Sequence, residues 1–116
     1  KEQLNLEPER AKEIKEAYYA TISFVDAQVG RILDNLEANG LDKNTIVVFT
    51  SDHGYHLGEH GHWQKNTLFE NATRIPLIIS VPNSENKGVS SMSPVELIDL
   101  YPTLMDLTNI KTPQTA

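Results

Sequence analysis

The chain has 116 residues, with 16 acidic and 10 basic side chains for a formal charge of −6, and it has no cysteine. That length fits one domain or part of one, and the acidic balance excludes the basic face that a phosphate backbone requires, so no nucleic-acid partner is expected. Disulfides, thiolate metal sites and thiol nucleophiles are excluded from this segment, and the redox compartment stays open. The apolar runs are too short to span a bilayer, and no charged-then-apolar leader is visible at the start.

In chain order, residues 8–39 read as one long helix. Pro8 suits a first helical turn and the neighbouring acids suit the positive end of the dipole. Tyr18, Ile22, Val25, Val29, Ile32 and Leu36 recur at spacings of three and four and form one apolar stripe. The early turns, with Glu9, Arg10, Lys12, Glu13, Lys15 and Glu16, read as a solvated face. Asn39-Gly40 stops the helix. Residues 45–50 form a β-branched strand that does not alternate, the pattern of a strand covered on both faces in a parallel sheet. A similar strand at 75–81 is closed by Pro82. The long connection between them, rich in Gly, His and polar groups, has the character of a functional loop, with a short helical turn over 66–72. A polar surface loop follows over 83–91. Ser93, Pro94 and Glu96 then predict a helix over 94–107, as N-cap, first residue and capping-box partner. Two short covered strands need neighbours that this segment does not supply, so residues 1–116 are expected to be a single partial α/β domain.

All four histidines lie between His53 and His62, at the end of the first strand. The carboxyl end of a buried strand is where ligands gather in α/β folds. Asp52 and His53 leave the strand tip, and Gly54 allows a sharp turn beside a ligand. Together they can hold a divalent cation, although Asp52 could equally cap the loop. Imidazole suits zinc, copper or iron, whereas calcium prefers oxygen, so the residues alone leave the metal open. Lys65 is placed to meet an anion such as sulfate or phosphate, or is a surface lysine. Trp63 either stacks on a sugar or packs the loop. His56, Glu59, His60 and His62 read as supporting groups. The H-E-x-x-H spacing of zinc proteases is absent, and there is no phosphate-binding glycine loop.

The string SDHGYHLGEHGHWQK resembles the second metal-site motif of the sulfatase family, in the alkaline-phosphatase-like superfamily, and specifically its iduronate-2-sulfatase branch. YYATISFVDAQVGRILDNLEANGL, FENATRIPLIISVP and VELIDLYPTLMDL resemble the flanking family segments, so the likeness covers Tyr18 to Leu107. It implies the C-terminal part of an alkaline-phosphatase-like sandwich, with mainly parallel strands flanked by helices. It further implies that Asp52 and His53 are two ligands of an active-site Ca2+ and that Lys65 contacts the substrate sulfate. His53 stands where many sulfatases have Asn. His60 and Trp63 belong to the same motif in a supporting role.

The family nucleophile is a formylglycine made from Cys or Ser in C/S-x-P-S-R. No such context occurs here, so no catalytic nucleophile is assigned and the formylglycine is expected in the parent chain. In the implied mechanism its hydrated aldehyde attacks sulfur while calcium and lysine stabilise charge on oxygen. The implied partners are a sulfated carbohydrate, with glycosaminoglycan uronates suggested by the branch, and the remainder of the sulfatase domain. The family's habit implies a periplasmic, lysosomal or secreted location. This segment alone is expected to be inactive. The alternatives are a phosphodiesterase or phosphonate hydrolase of the same superfamily, or a non-catalytic metal- or glycan-binding module. An intact C/S-x-P-S-R in the parent separates the last of these from an enzyme.

Overall fold

The computed structural model describes residues 5–111. The chain falls into two compact units that part between Glu85 and Asn86.

The first unit opens with helix α1, Pro8–Ala38, with Pro8 in its first turn and Glu9 beside the positive end of the dipole. Its end is a left-handed cap. Gly40 has φ +67°, its N–H bonds Glu37 O at 2.9 Å, and the Leu41 N–H reaches back to Leu36 O at 2.9 Å. These two reverse bonds satisfy carbonyls that the helix end leaves open. Of the predicted stripe, Tyr18, Val29 and Leu36 are half-buried, whereas Ile22, Val25 and Ile32 stay exposed. Tyr18 stacks on Tyr55 with ring centres 5.2 Å apart.

A one-turn 3-10 segment, Asp42–Asn44, leads into β1, Val47–Thr50. This strand pairs antiparallel with β4, Leu77–Ser80, in the register Val47 to Ser80 and Thr50 to Leu77. Thr50 Oγ1 also donates to Pro76 O at 2.9 Å, closing the end of the ladder. Between them the chain makes a hairpin of β2, His56–Leu57, with β3, Trp63–Gln64, and then a single helical turn, α2, Glu70–Thr73. The helical turn expected over 66–72 lies at 70–73.

Both strand pairs among the described residues run antiparallel, so the expectation of mainly parallel strands is corrected for these four. An uninterrupted apolar run reports that a strand will be covered, not which way its neighbour runs. A parallel pair also needs a crossover over the sheet face, and the excursion from Ser51 to Pro76 is instead a hairpin and one turn. One face of the β1–β4 pair stays open, where Phe49 and Ile78 sit opposite each other.

In the second unit a 3-10 turn, Leu97–Asp99, runs into α3, Leu100–Leu107. The helical segment thus begins three residues later than the predicted 94. Glu96 is still extended, with φ −117° and ψ 157°, and the Asp99 carboxylate accepts the Glu96 backbone N–H at 2.8 Å. The capping box has moved three residues along the chain, with Glu96 and Asp99 in the places that Ser93 and Glu96 were expected to fill. No helix among the described residues is long and apolar enough to cross a membrane.

Candidate functional site

The tip of β1 is tied down by two hydrogen bonds. Ser51 Oγ donates to His53 O at 2.7 Å, and the Gly54 N–H donates to Ala72 O at 2.8 Å. At Gly54 the backbone of α2 comes so close that a Cβ would lie 2.1 Å from Asn71 O. Asp52 therefore projects from a turn of fixed shape, with its carboxylate in solvent at 81 % exposure.

His53 carries the deciding geometry. Its Nδ1 lies 2.7 Å from Gly54 O. A carbonyl only accepts, so Nδ1 bears the proton and Nε2 keeps its lone pair, the state in which an imidazole ligates a metal. Nε2 faces Asp52 Oδ2 at 3.4 Å. Adjacent ligands of a cation held at about 2.4 Å stand about 3.4 Å apart when at right angles, so the pair fits one edge of a calcium shell. Lys65 reaches the same point, its Nζ donating to His53 Nε2. Asp52 and Lys65 thus both meet His53, although Lys65 lies twelve residues beyond it in sequence. Among the described residues no group of three His, Cys, Asp or Glu side chains could hold a metal ion by itself. The turn offers two candidate donors, fewer than a full cation shell takes.

The hairpin that returns the chain to Lys65 is built on left-handed backbone at Gly58 (φ +107°), His60 (φ 55°), Gly61 (φ 70°) and Gln64 (φ 87°). Trp63 packs against Gly58, where a Cβ would stand 3.2 Å from its ring, and His60 stacks on Phe69 with ring centres 4.6 Å apart. Both side chains thus pack within the hairpin segment, against Gly58 and Phe69. His62 also flanks Phe69, at 5.9 Å.

Glu59 braces the hairpin by accepting the Leu57 N–H at 2.6 Å. Desolvation pushes its carboxyl up. The backbone N–H groups of Leu57 and of Glu59 itself, aided by the Lys15 charge, outweigh this, and the pKa ends below the ordinary carboxylate value. A depressed folded pKa gives stability that is present above the unfolded pKa and is lost as pH falls through the folded one. Glu59→Gln in the full-length protein is therefore expected to lower the melting temperature at neutral pH. The gap to the parent should close as pH drops through the carboxylate range, as read by melts over a pH series.

The sulfatase family model matches residues 2–110. The chain belongs to the sulfatase family. It is 47 % identical over 100 residues to a sulfatase of Formosa agariphila, covering 86 % of this chain and 20 % of that protein. It is 37 % identical over 126 residues to human iduronate 2-sulfatase, covering 88 % and 23 %. A solved structure of a protein in complex with its substrate, D-glucosamine-2-N,6-O-disulfate, superposes with a TM-score of 0.78 at 40 % identity, over 84 % of this chain and 20 % of that one. The chain thus spans about a fifth of the length of these sulfatase relatives.

Two residues of the sulfatase turn escaped the sequence reading. Thr67 sits under Lys65 and bonds His56, and Asn71 forms the backbone wall at Gly54. Neither carries a signal in a single sequence, because each acts through a contact that exists only after folding.

Proposed function

We propose that this chain is the part of a sulfuric ester hydrolase that contributes Asp52 and His53 to a Ca2+ ion and Lys65 to the substrate sulfate. The observation that carries the reading is the convergence of these three side chains on one turn at the end of β1, in a member of the sulfatase family. A bound cation at that edge would supply positive charge to a sulfate oxygen. Gly54 O holds His53 in the ligating tautomer. Lys65, whose ammonium bonds His53 Nε2 here, would present that charge to the sulfate and stabilise negative charge growing on oxygen as the ester bond breaks. The nucleophile, a formylglycine, comes from the rest of the parent domain, since this chain has no cysteine and no serine in a C/S-x-P-S-R context. The substrate class is a sulfated glycan. This choice is supported by the likeness to iduronate 2-sulfatase, to the N-acetylglucosamine-6-O-sulfatase of Bacteroides thetaiotaomicron, and to the protein solved with a sulfated glucosamine.

In the full-length protein, Lys65→Ala and Asp52→Ala are each expected to lower kcat/KM for an aryl sulfate about a hundredfold or more. Activity lost to a chelator should return with calcium. Near-parental turnover by both variants, or recovery with zinc in place of calcium, would remove the proposal.

A further inference from the structure

His56 is fully buried, and the direct contacts of the substrate site do not use it. Its Nε2 lies 2.6 Å from Thr67 Oγ1, while its Nδ1 is buried without a hydrogen-bond partner. An apolar side chain would fill the same space without leaving a polar atom desolvated, so the imidazole is a costly filler. The Thr67 bond is what it offers in return. Thr67 Oγ1 also receives the Phe69 N–H at 3.3 Å, and the Thr67 N–H donates to Lys65 O at 2.8 Å. An orphaned buried N–H is rarer than an orphaned acceptor, which favours the tautomer with Nε2–H donating to Thr67 and a bare Nδ1. His62 and Phe69 pack beside the ring, with ring centres 5.5 Å and 6.1 Å from it. On the other side of the hairpin His56 is the register partner of Gln64, the left-handed residue that turns the chain into Lys65.

From this we infer that His56, acting through Thr67, is a positioning residue for Lys65. The lysine side chain is long and exposed, so its aim depends on where its backbone is held. The strut from His56 to Thr67 to Lys65 O clamps that backbone from the C-terminal side, and the β2–β3 pairing clamps it from the N-terminal side. Sites lose affinity when a contacting group is left loose by its supporting side chains. The inference rests on the reading of Lys65 as the sulfate contact.

The test uses the full-length protein, with inhibition by inorganic sulfate and KM for an aryl sulfate as readouts. Thr67→Val and His56→Leu, which break the strut from opposite ends, should each weaken sulfate inhibition and raise KM about three- to tenfold, the worth of one hydrogen bond. Thr67→Ser keeps the hydroxyl and should stay within about twofold of the parent by the same measure. In a Lys65→Ala background Thr67→Val should have no further effect on sulfate inhibition, which a purely structural role would not produce. An unchanged sulfate inhibition constant in folded Thr67→Val or His56→Leu overturns the inference, as does an undiminished effect in the Lys65→Ala background. If Lys65→Ala itself leaves sulfate inhibition unchanged, the underlying reading of Lys65 is what fails. A Thr67→Val protein that does not fold while Thr67→Ser and His56→Leu keep parental sulfate inhibition also counts against the strut.

Discussion

Gly54→Ala is expected to unseat the turn that carries Asp52 and His53. The added Cβ would lie 2.1 Å from Asn71 O, 3.0 Å from Asn71 C and 3.3 Å from Ala72 Cα. All three are backbone atoms, so no side chain can move aside. Relief requires β1 and α2 to separate, which also breaks the 2.8 Å bond from the Gly54 N–H to Ala72 O and opens the site around Ala72, the one apolar side chain that is buried among the described residues. Overpacking of this kind costs about 3 kcal/mol, a large share of the stability of an ordinary domain. Function should fall further than stability. His53 owes its tautomer to Gly54 O, so displacing that carbonyl frees the proton to occupy Nε2 and remove the ligating lone pair. The expected result in the full-length protein is a strongly lowered melting temperature together with a loss of calcium affinity of at least about tenfold, the scale seen when a group supporting a ligand is removed. Melts and calcium titration calorimetry read the two effects. Gly40→Ala is the comparison, since no atom lies within 4 Å of its Cβ position and only the φ of +67° opposes it, at about 1 kcal/mol. Equal behaviour of the two variants would remove the argument from close approach.

The contrast between these glycines shows what the sequence could and could not disclose. Gly40 was readable because its role is local. It follows an apolar stripe and an asparagine, and a helix end needs a left-handed residue there. The place of the site was readable for a similar reason, as Ser51-Asp52-His53 stands where an apolar strand stops. The need for glycine at 54 comes instead from Asn71, brought up from a distant part of the chain, and no spacing announces it. The hairpin was hidden because strands of two residues, His56–Leu57 and Trp63–Gln64, are too short to show a period. Strand direction was hidden because Val47, Val48 and Phe49 report burial alone. The complete burial of His56 runs against the habits of its residue type. It becomes intelligible only when Thr67 is seen at 2.6 Å.

Taken by itself, the 116-residue chain is expected neither to melt cooperatively nor to hydrolyse an aryl sulfate. Among the described residues Ala72 is the only buried apolar side chain, while Phe24, Ile32, Ile78, Val89, Ile98 and many others are well exposed. Each large apolar side chain left in water forfeits roughly 1.5–3 kcal/mol that its burial would contribute, and the entropy of ordering the chain is not reduced to match. The sheet offers little support, because an isolated pair of strands is marginal in water, and here Phe49 and Ile78 leave one face of that pair open. The sulfatase relatives explain the deficit in physical terms. The chain spans 20 % of one and 23 % of another, and in a whole domain the further strands and helices would cover these surfaces. On the proposed function, that remainder of the domain would also bring the nucleophile and the further cation ligands that Asp52 and His53 leave to be supplied. Circular dichroism melts of the isolated chain should therefore show a broad, sloping loss of signal. A hydrophobic dye should bind it strongly, and turnover of an aryl sulfate should be undetectable with calcium present. A sharp, reversible melt of a monomer would show that these apolar faces find partners within the chain. Measurable turnover would mean that the nucleophile is encoded here after all.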